Sequence, residues 1–223
     1  MSESAPRPHP GERIEPPRHR VTLAEYLAFE EAHPDGHEYV GGYVYAMAPP
    51  SDRHQRIAAN VGGHLWMAAR GTSCRVTQDA GLHVAGGDVL RPDVQVACVP
   101  ADEFDLTHAP CLVVEILSGS TARTDRTAKR LTYTGLPSVQ AYWMVSQDWR
   151  SVERHWRDAD GGWRMDHVTG DGAVPVPCLT RAPLTLAEIY EGERVPHAPP
   201  PPQRVSGRMT EPLWEYWPEP AGA

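Results

Sequence analysis

The chain has 223 residues, of which 40% are hydrophobic and 22% charged, enough to bury one sizeable core. Its 29 acidic and 21 basic residues leave a net charge of −8, which excludes a polybasic binder held to phosphate by bulk attraction. Contact with nucleic acid would need a locally basic groove or a bound cation.

Residues 1–20 hold Pro6, Pro8, Pro10, Pro16 and Pro17 and no periodic apolar pattern, as expected of a flexible leader. Thr22 and Glu25 have capping-box spacing, with Leu23, Tyr26, Leu27 and Glu30 following at helical intervals until Pro34, Asp35 and Gly36 stop the helix. Two short apolar runs flank Gly41 and Gly42 and predict a β-hairpin. A second helix is expected over 52–70, where His54, Ile57, Ala58, Val61, Leu65 and Ala68 share one face. Strands are expected at 73–84, 92–99 and 111–117, the last an apolar run broken only by Glu115 and so covered on both faces. Ser118 to Thr121 form a capping turn into a helix ending near Leu136. Tyr142 to Val145 are another buried strand, and two alternating segments surround Gly161 and Gly162. The order predicts an α/β or α+β domain over 21–195, a mixed sheet flanked by helices. Residues 196–223 include four consecutive prolines, Pro199 to Pro202, and read as an extended, Pro-rich tail. No apolar stretch suits a signal peptide or a membrane span, so a soluble cytoplasmic protein is expected.

Cys74, Cys98, Cys111 and Cys178 lie far apart with no C-x-x-C pair. Three sit in apolar or β-like runs, where buried free thiols are expected rather than a disulfide framework. The histidines show no zinc-ligand spacing. His54 and His64, ten residues apart, fall on different sides of their helix and cannot share a metal.

Three residues point to chemistry. Asp93 follows Pro92 at the start of an apolar strand, and Glu115 lies inside the most hydrophobic strand. Lys129 is the single lysine beside 20 arginines, 14 residues beyond Glu115 on the next helix. A carboxylate buried in a strand is costly unless paired or metal-bound. Two carboxylates on adjacent strands can hold a hard divalent cation, and a nearby ammonium can orient water and offset phosphate charge. Each has a plainer role: Asp93 as a turn residue, Lys129 as the i,i+4 partner of Asp125 on a helix surface. One metal site accounts for all three together. Basic patches are expected at Arg53, Arg56 and Arg70 on one helix and Arg123, Arg126 and Arg130 on the other, either as solvated faces or as a groove for a DNA backbone.

Pro92 and Asp93 followed by Glu115, Ile116 and Leu117 resemble the PD-(D/E)XK nuclease signature with its final Lys displaced. The stretch from Ala109 to Thr121, then Asp125, Arg126, Lys129 and Tyr133, is similar to the Uma family of restriction-endonuclease-like proteins, which carry that Lys on the following helix. The segments at Glu38–Gly42, Ala48–His54, Leu136–Trp143 and Pro183–Tyr190 resemble the same family. The resemblance implies a restriction-endonuclease-like fold, Mg²⁺ or Mn²⁺, and hydrolysis of DNA. Carried over, Asp93 and Glu115 would be metal ligands, Lys129 their cationic partner, and Glu38 a further catalytic acid. Leu117 stands where the signature has Lys, and Gly119 where the family more often has Pro. His54 lies on the apolar face of its helix, where a core histidine is the commoner role and a substrate contact the functional one. DNA is the expected partner, no membrane is, and a homodimer stays open. Two rival readings are a non-catalytic nucleic-acid or protein interaction module on this fold and a phosphodiesterase for small substrates.

Overall fold

Thr22 caps the first helix, α1 (Leu23–Ala32), as its spacing predicts: its hydroxyl accepts from Glu25 N–H, and the Glu25 carboxylate accepts from Thr22 N–H at 2.7 Å. The computed structural model describes residues 19–33, 36–84, 86–98, 109–117, 128–180 and 183–197. The leader up to residue 18 and the tail beyond 197 lie outside these. Tyr26 is the side chain α1 buries, while Leu27 faces solvent. The predicted hairpin is β1 (His37–Val40) with β2 (Tyr43–Ala46), turning through Gly41 and Gly42. Both have positive φ, 59° and 89°, as a turn matching the strand twist requires. Ser51 caps α2 (Asp52–Ala69), its hydroxyl accepting from His54 N–H at 3.2 Å.

The single strand expected at 73–84 is two strands in different sheets, β3 (Cys74–Gln78) and β4 (Leu82–His83). The break falls at Asp79, whose φ of 48° ends the extended run. β5 (Val89–Leu90) is too short to show as a sequence pattern and pairs with β4. Then follow β6 (Val94–Cys98), β7 (Pro110–Leu117), α3 (Arg130–Gly135), β8 (Ala141–Ser146), β9 (Ser151–Arg157) and β10 (Trp163–Thr169). β11 (Ala173–Val174), β12 (Leu184–Thr185) and α4 (Leu186–Ile189) end the described elements. The start expected for the third helix, Ser118 to Thr121, lies outside the described residues.

The main sheet has the order β10-β9-β8-β7-β6-β3, antiparallel except for the parallel pair β7 and β8. A parallel pair needs a crossover, and α3 belongs to it. Every residue of β7 is buried, as its unbroken apolar run predicts. Leu112, Val114 and Ile116 pack with Ile57, Val61 and Leu65 of α2 and with Leu186 and Ile189 of α4. Val113 and Leu117 face the other way, onto Tyr133 of α3 and onto Leu82 and Leu90 of the small sheet β2-β1-β5-β4. Tyr26, Tyr39, Val44 and Val89 close the far face of that small sheet beneath α1. Each Val or Leu buried in this way contributes about 1.5–3 kcal/mol. The chain beyond 195 still touches the domain, since Arg150 N–H donates to Pro196 O at 2.8 Å.

The cysteines depart from expectation: Cys74 is bonded to Cys98 and Cys111 to Cys178, leaving no free thiol. The sequence hides this because the partners are 24 and 67 residues apart. Strand pairing sets Cys74 directly opposite Cys98, while Cys178 reaches Cys111 from the turn after β11.

Candidate active site

Four elements deliver the charged residues to one place. Glu38 comes from β1, where alternation turns Tyr39 toward α1 and Glu38 toward the main sheet. Asp93 sits just before β6 and Glu115 near the end of β7, so the antiparallel pairing of these strands brings the two together. The Asp93 carboxylate accepts from Ile116 N–H at 2.6 Å, which fixes it beside the backbone next to Glu115. Lys129 arrives at the N-cap of the crossover helix α3, immediately before Arg130.

Lys129 Nζ lies 2.9 Å from Glu38 Oε1 and 3.0 Å from Glu115 Oε1. All three are buried, at 7%, 8% and 4% exposure respectively. The single lysine is therefore no surface partner; Asp125, its other candidate partner, lies outside the described residues. Glu115, expected as a carboxylate in need of compensation, receives it from Lys129 and from Tyr133, whose hydroxyl donates to Oε1 at 2.9 Å. Burial pushes the Tyr133 phenol well above its ordinary pKa, and the Glu115 charge adds to the shift, so the group keeps its proton and donates. Tyr133 had no role assigned from sequence; its signal was its place one turn after Lys129 on the same face. Glu38 Oε1 also accepts from Arg91 N–H at 3.1 Å, a backbone contact no side-chain pattern announces.

His54 Nε2 is 3.2 Å from Asp93 Oδ2. The helix cap at Ser51 sets the start of α2, and this places His54 against Asp93 rather than wholly within the core. Of the residues singled out from sequence, Glu38, Asp93, Glu115, Lys129 and His54 all converge. The arginines of α2 do not join them. Arg53 lies 3.7 Å from Glu193, Arg56 pairs with the same carboxylate, and Arg70 stacks over Trp66 at 5.7 Å. Glu193 thus claims two of the charges expected for a phosphate groove. Arg123 and Arg126 lie outside the described residues.

The residues that could hold a hard divalent cation are the carboxylates. Two buried carboxylates share one ammonium, and a third accepts from the Ile116 amide and lies 3.2 Å from the His54 imidazole, so three carboxylates face one lysine. Carboxylate oxygens as a class are ligands for hard cations such as Mg²⁺ or Mn²⁺, and no thiolate that would favour a softer metal is among these residues.

A mixed sheet between helices, with acids from adjacent strand ends meeting a crossover lysine, defines a restriction-endonuclease-like domain. Residues 23–187 match the family described as "Uma2: Putative restriction endonuclease", and the chain belongs to that family. It is 32% identical over 149 residues to an uncharacterized Synechocystis protein, slr1290, covering 65% of this chain and 78% of the relative. A second uncharacterized Synechocystis protein, sll1609, is 27% identical over 159 residues, covering 69% and 90%. The fold is similar to that of a crystal structure described as a "putative nuclease belonging to DUF820" from Anabaena variabilis. That likeness has a TM-score of 0.62 and 19% identity, covering 76% of this chain and 97% of the other.

Proposed function

We propose that this chain is a Mg²⁺- or Mn²⁺-dependent endonuclease that hydrolyses DNA phosphodiester bonds. The observation that carries the reading is the burial of Lys129 between Glu38 and Glu115, beside Asp93. A solvated helix face or an ordinary core has no use for such a cluster, because burying these charges costs several kcal/mol per ion before pairing.

Asp93 and Glu115 would hold the cation, which supplies Lewis-acid polarisation of the phosphate and a water of lowered pKa. The residues of the chain do the rest. Asp93 is aimed by Ile116 N–H and by His54, so His54 acts as a positioning residue for this ligand rather than as a direct substrate contact. Tyr133 holds Glu115 in place as a neutral donor. Glu38 and Glu115 fix the Lys129 ammonium, which offsets charge developing on the phosphate oxygens.

The test is cleavage of supercoiled plasmid and of single-stranded DNA with Mg²⁺ or Mn²⁺, comparing wild type with Asp93→Ala. Metal-dependent nicking lost in the variant supports the reading. Metal-dependent folding without cleavage of either substrate would leave an interaction module on the same fold.

A further inference from the structure

All four cysteines of the chain meet at the end of the sheet opposite the acidic cluster. Cys98 ends β6 and Cys111 lies near the start of β7, whereas Asp93 and Glu115 occupy the other ends of these strands. The five residue steps from Asp93 to Cys98 span about 17 Å of extended chain. Cys74 opens β3, and Cys178 comes from the turn after β11.

The two disulfides are not separate staples. Cys98 Sγ of one lies 3.7 Å from Cys111 Sγ of the other, and the sulfurs of Cys98, Cys111 and Cys178 all fall within 4.8 Å of one another. In a tetrahedral tetrathiolate, zinc–sulfur bonds of about 2.3 Å place neighbouring sulfurs about 3.8 Å apart. The non-bonded Cys98–Cys111 contact already has that spacing. Cys74 and Cys111 are buried and Cys98 and Cys178 half-buried, in apolar surroundings that keep out competing water.

We propose that the reduced chain binds one Zn²⁺ through the thiolates of Cys74, Cys98, Cys111 and Cys178, and that the paired disulfides are the oxidised, metal-free form of the same site. Reduction of each disulfide takes up two electrons and two protons and yields two thiols: a dithiol supplies both and closes to its own disulfide, whereas a phosphine supplies the electrons, water supplies the protons, and the phosphine leaves as its oxide. Zn²⁺ then replaces four thiol protons, which leave to solvent, and no electron moves in that step. The separate thiolate chemistry selects zinc here while the carboxylates at the other end select a harder ion. The metal would tie three strands of the main sheet to the segment that leads into β12 and α4.

The full chain, reduced anaerobically with a phosphine and stripped of metal, is titrated with Co²⁺ and then Zn²⁺. The expected result is one equivalent of Co²⁺ with intense thiolate-to-metal charge transfer and tetrahedral ligand-field bands, bleached by one equivalent of Zn²⁺. Asp93→Ala should leave these bands unchanged, which separates this site from the carboxylates. Cys178→Ser, on a turn, should weaken them. Should that variant not fold, alkylation of wild type decides: zinc should slow the modification of all four thiols at least tenfold. Equal alkylation with and without zinc, or Co²⁺ bands that are weak, octahedral and lost in Asp93→Ala, would overturn the proposal.

Discussion

Replacing Lys129 by Met removes the charge and keeps the length of the buried side chain. Glu38 Oε1 and Glu115 Oε1, each about 3 Å from the lost ammonium, are then left as two buried carboxylates without it. Breaking a buried pair by deleting one partner costs about 3–5 kcal/mol. For a domain of this size each kcal/mol lowers Tm by roughly 2–4 °C, so the fall should be about 6–20 °C in chelator. A divalent cation can stand in for the missing charge, so Mg²⁺ should restore more of the Tm in Lys129→Met than it adds to wild type. Differential scanning calorimetry with and without Mg²⁺ measures both terms. A Lys129→Met protein that melts within about 2 °C of wild type and ignores Mg²⁺ would refute the view that this ammonium balances buried carboxylates.

Lys129→Arg should retain the charge but force a larger group into a niche only 7% exposed, costing about 1–3 kcal/mol of stability as overpacking. It should also lose about a hundredfold or more of any cleavage rate, read by plasmid nicking, because its charge is displaced from the phosphate. Glu115→Gln should fold yet lose the Tm increment that saturating Mg²⁺ gives wild type, about 2.7 kcal/mol at a hundred times Kd; an undiminished increment removes Glu115 from the metal site. Tyr133→Phe should lower the urea midpoint by the equivalent of about 1.5–3 kcal/mol, the worth of a hydrogen bond to a charged acceptor. Val113→Asp should abolish cooperative unfolding, as Val113 is 0% exposed beneath α3; a soluble, cooperatively melting variant would mean that this strand is misplaced.

Features written in local chemistry were legible in the sequence. The Thr22–Glu25 box, the Gly41–Gly42 turn and the apolar stripe of α2 each use residues within a few positions of one another. Glu115 stood out because a carboxylate in an apolar strand must be answered by something. What answers it was only half visible. Lys129 could equally have been a surface residue, since helical spacing does not say which sheet face the helix covers. Tyr133 and the Arg91 amide depend on packing between elements. The break between β3 and β4 turned on one left-handed residue, Asp79, which composition does not mark. The cysteine pairings were invisible because strand register brings Cys74 to Cys98, and the packing of the turn after β11 brings Cys178 to Cys111, neither of which spacing along the chain reveals.

The parallel pairing of β7 with β8 has an evolutionary consequence. A parallel partner obliges the chain to leave one end of β7 and travel back over the sheet before β8 begins, and here it returns over the face that carries Val113, Glu115 and Leu117. Leu117, two positions after Glu115, lies on the same face of the strand, and Lys129, fourteen after it, reaches that acid from the returning chain. Two addresses far apart in linear order thus open on one face of the sheet. A cation can vacate the first for the second through intermediates carrying both, and the abandoned position can take up an apolar side chain and join the core. Descent in such proteins is better traced by asking which side chains surround the acid than by matching the interval between letters.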